Sequence, residues 1–509
     1  MSHSCILTIA FEAHTHVIKN KKRRYIHNMK KVKIFLAAIV ALLVTFVGGK
    51  AYAYTITING ETDGHTFEAY QIFKGDLNDS TLSNIEWGTG VNQFTFNGSD
   101  NAAKIAEGLT ESNAVEFSKE AAKHLTSNPS ATGTSTITVT EAGYYLIKDK
   151  DNSLTGKDGK AYTAYILKVI KDETVKPKAD VPSVIKKVKD TNDTTGETTD
   201  WQDSADYDFG DKVPFQLTAT LPKTNFDKYQ TYYLEFSDTL SKGLSYDENS
   251  LVVKVGERTL TTSEYTISTT KDSEGNTKLS VVITDVKALG GTAGGKVTVD
   301  YTATLTTDAV IGAKGNPNEV ELIYSNNPNE NGIGKPKDTG KTPKDTVIVF
   351  TYKTVVNKVD QNNQPLTGAE FTLFKKMKDG TEKAVSVVKN DAGTQFTFKG
   401  LDDGEYVLKE TVTPAGYNTI KPITFKVVAT HDVESDAPKL TDLNGEKVSG
   451  NINFSKNVDE GSLTTQVENK KGSILPSTGS IGTTVLYVAG SVLVVAAGIL
   501  LVTKKRMKN

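Results

Sequence analysis

The sequence predicts an all-β protein, a series of tandem β-sandwich domains, on three observations. Short runs alternate apolar and polar residues, among them Tyr54–Ile58, Ser135–Val139, Leu251–Val255, Lys278–Thr284 and Lys296–Thr302. A period of two places every second side chain on one face of a strand. Clusters of Asn, Asp and Gly punctuate these runs at 272–276, 360–363 and 402–404, where turn chemistry is expected. Many short strands with such punctuation favour sandwiches over other β architectures. One stretch departs from the pattern: Ala102 to Leu125 has helical spacing of apolar residues and predicts a helical excursion.

The two ends are set apart. Lys30, Lys31 and Lys33 precede the apolar run Ile34–Val47, which is followed by Gly48, Gly49 and Ala51-Tyr52-Ala53. Charge, apolar core and small residues in that order predict a secretory signal peptide cleaved after Ala53, with Met29 as an alternative start. At the other end the uncharged run Ile481–Val502 is followed by Lys504, Lys505 and Arg506. A helix of roughly 20 apolar residues crosses a bilayer's hydrocarbon core, and the basic stub would stay cytoplasmic. The single cysteine, Cys5, falls in the leader, so the secreted chain has no sulfur to bridge in a compartment that permits disulfides.

Composition excludes several classes. With 59 basic and 61 acidic residues the net charge is −2, and no global field points to nucleic acid or a membrane surface. Seven histidines lie scattered without metal-ligand spacing. No phosphate-binding glycine loop and no Ser/His/Asp or Cys/His set is present, so neither a metal nor a cofactor is expected and a secreted enzyme is disfavoured.

Two Pro-rich stretches read as linkers: Lys176–Pro182, and the polar segment from Asn326 to Lys344. They divide the chain into domains at about 54–178, 179–344 and 345–474, between the leader 1–53 and the tail 475–509.

Motifs give these domains a chemistry. Leu475-Pro476-Ser477-Thr478-Gly479, the apolar run and the basic terminus together resemble the LPXTG cell-wall sorting signal of Gram-positive surface proteins. The resemblance implies that a sortase cuts between Thr478 and Gly479 and passes the Thr478 carbonyl to an amine. In the third domain, Val355–Asp360 opens a segment whose middle reads Gly404-Glu405-Tyr406-Val407-Leu408-Lys409-Glu410-Thr411, continues to Pro414-Ala415-Gly416-Tyr417, and closes at Val467–Lys470. This resembles the Cna-B-type immunoglobulin-like domain. It implies an amide link between Lys358 and Asn469, with Glu410 as catalyst.

The chemistry asks for burial. A lysine ammonium cannot attack, whereas apolar surroundings favour the neutral amine and a protonated carboxyl that polarises the asparagine amide. The second domain, with Pro182–Val188, Phe236–Leu244 and Asn318–Pro328, looks like the larger Cna-A type. That resemblance implies Asp238 as catalyst and Asn318 as acceptor. Strand alternation puts Val184, Lys186 and Val188 on one face, which favours Lys186 over Lys187 as the nucleophile without closing the choice. In the first domain, Val139–Asp149, which contains Glu141, is a looser relative of the glutamate segment, and Lys74 in Tyr70–Lys74 is a candidate first-strand lysine. No terminal asparagine matches it, and no bond is expected there.

Lys178, in Val175-Lys176-Pro177-Lys178, resembles the tail of the pilin motif of backbone pilins, although a lysine replaces the tyrosine and the upstream tryptophan is missing. Over nearly the whole secreted chain the arrangement is similar to streptococcal-type major pilins. The resemblance implies a covalent head-to-tail polymer of copies of this chain, joined from Thr478 of one to Lys178 of the next and anchored in peptidoglycan at the cell surface. It further implies pilus and housekeeping sortases and accessory pilins as partners. The alternative is a monomeric wall-anchored adhesin binding a host matrix protein; no host ligand is legible.

Overall fold

The structure, a computed structural model, describes residues 53–472 apart from 61, 79, 80, 178 and 331, and the backbone of 480–506. Strands make up 47 % of it and helices 8 %. The predicted runs are strands at Tyr54–Ile58, Thr136–Val139, Val252–Val255, Thr277–Ile283 and Lys296–Leu305. The leader through Tyr52 and the segment Leu475–Gly479 lie outside the described residues.

The chain forms two compact units. Of the described residues, the first gathers those up to Ile58, Glu68–Ile147 and Leu167–Val175. Tyr54–Ile58 is flanked there by Thr136–Val139, antiparallel, and by Glu173–Val175, parallel. The stretch predicted as one helical excursion is two short helices, Ala102–Glu107 and Ala114–Lys123. Gly108 ends the first. Asn113 then holds the break, its side chain donating to the Gly108 carbonyl at 2.9 Å and accepting from the Thr110 amide at 2.7 Å. Such side-chain competition with the backbone is what interrupts a helix at Asn. Phe117 on the second helix packs among Phe73, Phe94 and Phe96.

The second unit contains, of the described residues, those in Asn59–Phe67, Lys148–Ile166 and from Lys176 onward. Its early segments join it through backbone bonds such as Gly159 N–H to the Lys341 carbonyl, 2.7 Å, and Tyr162 N–H to the Asn326 carbonyl, 2.6 Å.

Two β-sandwiches follow within this unit. In the first, one sheet runs in the order Arg258–Thr259, Val252–Val255, Lys296–Leu305, Lys212–Thr220, Ser183–Val188. The other runs Ser204–Asp206, Asp345–Phe350, Asn316–Ser325, Leu234–Leu240, Thr277–Ile283, Thr266–Lys271. A core of residues between Val184 and Val349, including Phe215, Leu217, Phe236, Val299 and Leu322, lies between them. In the second sandwich the sheet Val387–Lys389, Gln395–Leu401, Tyr352–Asp360, Ser462–Asn469, Phe454–Asn457 shares a core with the sheet Glu382–Val385, Glu370–Lys376, Gly404–Val412, Ile423–His431, Leu440–Ser449. Its first and last long strands, Tyr352–Asp360 and Ser462–Asn469, pair in parallel.

The last helix runs from Ser480 to Arg506. Among the described residues no helix is long and apolar enough to cross a membrane. The side chains of this one are described only over 485–500 and at Lys504, so the run Ile481–Val502 lies partly outside them.

Candidate functional site

Strict alternation in three strands of the first sandwich aims polar groups into an otherwise apolar core. Ser183–Val188 turns Val184, Lys186 and Val188 inward; Leu234–Leu240 turns Leu234, Phe236, Asp238 and Leu240 inward; Asn316–Ser325 turns Asn318 inward beside Val320 and Leu322. Lys186 and Asn318 are fully buried and Asp238 is 1 % exposed. Lys187 points the other way and pairs with Asp203 at 2.5 Å.

The Lys186 Nζ donates to Asp238 Oδ1 at 2.7 Å and to the Tyr301 hydroxyl at 3.1 Å. That hydroxyl donates to Asp238 Oδ2 and accepts from Asn318 Nδ2 at 2.7 Å. Asn318 Oδ1 has no hydrogen-bond partner. Burial pushes the Lys186 ammonium below its usual range and the Asp238 carboxyl above its own, each opposed by the other's charge. Both shifts favour a neutral amine beside a neutral acid, the state in which the amine is a nucleophile. Lys186 and Asn318 belong to opposite sheets, so a bond between them would staple the sandwich through its core.

The second sandwich holds a different arrangement. Register sets Lys358 opposite Val467 and Asp360 opposite Asn469 on the parallel first and last strands. Lys358 is 1 % exposed, and its Nζ donates to the carbonyls of Val359, 2.9 Å, and Val467, 3.0 Å. Asn469 is buried, with Nδ2 donating to Glu410 Oε2 at 3.0 Å and to the Asn418 carbonyl at 2.7 Å. Glu410 Oε2 also accepts from the Ile420 amide at 3.0 Å, while Glu410 Oε1 and Asn469 Oδ1 are unpartnered. Glu410 is half-buried, at the edge of the core rather than inside it as the burial argument expected.

Burial pulls the Lys358 amine down to about 8, against the opposing charge of Glu410. That value predicts a pH dependence. In Asn469→Ala, which cannot link, the folded pKa lies below the unfolded one, so the unfolded chain binds the extra proton between pH about 8 and about 10.4. The penalty is fully present below pH 8 and fades as pH rises through that window. Denaturant melts should show this variant gaining about 2–3 kcal/mol from pH 7.5 to 10.5 relative to wild type; parallel curves would contradict the burial argument.

In the first unit Lys74 is half-exposed and pairs with Glu86 at 3.1 Å, and Glu141 lies 3.4 Å from the Gln71 side-chain amide. Lys178 and Leu475–Gly479 lie outside the described residues.

Two features escaped sequence reasoning. Tyr301 is one. Lys375 is the other, its side chain fully buried against Asp402, with Asp208 at 3.0 Å. Burial works against the Lys375 ammonium, but Asp402 and Asp208 hold it above its usual range. The clue in each case was a single polar group on the inward face of a strand, beside Val299 and Ala303 for Tyr301 and beside Phe371 and Leu373 for Lys375.

Several segments of the chain match known proteins. Residues 209–328 match the Gram-positive pilin backbone subunit 2, Cna-B-like domain; residues 353–441 match a prealbumin-like fold domain; residues 467–509 match the LPXTG cell wall anchor motif. The trypsin-resistant surface T6 protein of Streptococcus pyogenes serotype M6 is 26 % identical, over 92 % of this chain and 98 % of that one. The solved T6 backbone pilin of serotype M6 Streptococcus pyogenes, of modular three-domain structure, superimposes with a TM-score of 0.55 at 19 % identity, over 84 % of this chain and 100 % of that one. The pilin-backbone domain, the prealbumin-like domain and the LPXTG anchor in one polypeptide support a structural subunit of a sortase-assembled, cell-wall-anchored Gram-positive surface pilus.

Proposed function

We propose that this subunit is welded by its own side chains, once inside each sandwich and once to each neighbour in the fibre. Lys186 attacks Asn318 with Asp238 as the acid–base group, and Lys358 attacks Asn469 with Glu410 in that role; each reaction forms an amide and releases ammonia. Thr478, captured by sortase after cleavage of Leu475-Pro476-Ser477-Thr478-Gly479, is passed to Lys178 of the next copy. The domains expected at 54–178, 179–344 and 345–474, with the strand Asp345–Phe350 moved to the middle one, are then links in a chain of covalent bonds. A pilus sortase makes the polymer, a housekeeping sortase joins its base to peptidoglycan, and accessory pilins decorate it.

One observation carries the reading of the internal welds: a lysine, an aspartate and an asparagine share one dry core, where burial favours the neutral amine and the neutral acid. An unlinked lysine in that position would be a costly element of a core. The polymer is tested by immunoblotting wall extracts from cells expressing wild type and Lys178→Ala. A high-molecular-weight ladder in the wild type, collapsing to a single band in the variant, is the expected result. A ladder unchanged in the variant would assign the nucleophile to another lysine. A single band in the wild type would favour the monomeric adhesin.

A further inference from the structure

Tyr301 stands where the reaction of the first sandwich needs a proton carrier. It lies on Lys296–Leu305, in the same sheet as Lys186, with Lys212–Thr220 between them: Tyr301 sits opposite Phe215, and Lys186 opposite Leu217. The ring stacks on Phe215 with centroids 5.4 Å apart and meets Tyr246 edge-on at 5.7 Å. The hydroxyl is thereby fixed at the centre of the cluster, 3.1 Å from Lys186 Nζ and 2.7 Å from Asn318 Nδ2, and bonded to Asp238.

A phenol has one proton to give. Here it goes to Asp238, so the oxygen can only accept from Asn318. This requires Nδ2, the nitrogen that must leave, to face Tyr301, and it leaves Oδ1 as the unpartnered atom. Among the described residues no hydrogen bond joins Asp238 to Asn318; the Tyr301 hydroxyl spans the gap. In the second sandwich no such bridge is needed, because Glu410 reaches Asn469 Nδ2 directly at 3.0 Å. Aspartate is one methylene shorter than glutamate. The tyrosine hydroxyl makes up the missing reach.

We propose that Tyr301 is a catalytic residue of the Lys186–Asn318 link, relaying a proton from the attacking to the departing nitrogen. The proposal rests on the reading that this link forms. The neutral Lys186 amine adds to Asn318 Cγ, making the Nζ–Cγ bond. As the Cγ–Nδ2 bond breaks, Tyr301 gives its proton to Nδ2 and regains one that left Nζ through Asp238. Ammonia departs; the phenol and the acid end as they began. Burial beside Asp238 holds the phenol well above its usual pKa, which keeps the proton on the oxygen between transfers.

The test is Tyr301→Phe in the full chain, which keeps the ring and removes only the hydroxyl. Pulse-labelled chain is digested at successive times, and the branched Lys186–Asn318 peptide is quantified by mass spectrometry. The branched Lys358–Asn469 peptide in the same molecules serves as the control. The expected result is Lys186–Asn318 link formation slowed by about 100-fold or more, the range for loss of a positioned proton carrier, with the Lys358–Asn469 link unaffected. Asp238→Glu added to Tyr301→Phe should restore the link, because the longer carboxyl reaches the amide as Glu410 does. Should Tyr301→Phe alone fold poorly, the folded double variant carries the test, and a missing link there contradicts the relay. Formation in Tyr301→Phe at the wild-type rate would also overturn it. Absence of the branched peptide from the wild type would instead remove the link itself, a different failure.

Discussion

Asp238→Ala is expected to leave Lys186 and Asn318 unlinked and to lower the melting temperature of the first sandwich by on the order of 10–20 °C. Two effects add. The proposed link would close a loop between residues 132 apart (318 − 186), and by analogy with disulfide loop closure it would be worth about 5 kcal/mol. At about 2–4 °C per kcal/mol for a unit of this size, that alone gives the stated shift. The substitution also removes the carboxyl that faces the buried Lys186, leaving the amine with the Tyr301 hydroxyl and the Phe215 ring beside it and with a desolvation penalty to carry. Calorimetry should resolve the loss, with the second sandwich melting as in wild type. An unchanged first transition would mean that the covalent link contributes nothing.

Glu410→Ala is expected to turn an inextensible domain into an extensible one. Lys358 and Asn469 sit on the first and last long strands of their sandwich, which pair in parallel. Pulling on the two ends of a parallel pair shears all its hydrogen bonds together, but a covalent bridge between those strands would remove the 110 residues between them (469 − 358 − 1) from the force path. In single-molecule pulling the wild-type domain should give no unfolding step. The variant should lengthen by about 380 Å, at about 3.4 Å per extended residue. A step of that length in the wild type would show that the bridge is not there. The first sandwich is arranged differently: its bridge would run from one sheet to the other through the core, so it resists separation of the layers as well as extension.

How much of this was legible in the sequence depends on which contacts are local. Strands came directly from alternation, as at Tyr54–Ile58 and Lys296–Leu305, because a two-residue period is a property of neighbours in the chain. The same alternation placed Lys186 between Val184 and Val188 and turned Lys187 away, and the structure buries the one and pairs the other with Asp203. The split of the helical excursion at Gly108–Asn113 was missed because it depends on side-chain bonds from Asn113 back to the backbone, which compete with helix without disturbing the apolar spacing. Tyr301 was missed for a different reason. It lies inside a strand that alternation identified, but the meeting of its hydroxyl with groups from three other strands depends on sheet order and on packing of one sheet upon the other. The Lys375–Asp208 contact is similarly nonlocal, joining positions 167 apart (375 − 208).

Amide links made from the chain's own side chains would brace a protein that has no cysteine beyond Cys5. The most direct measurement is the intact mass of soluble residues 54–472, unfolded and without reductant. A mass short of the calculated value by two molecules of ammonia, one for each sandwich, is the result predicted; the full calculated mass would contradict it.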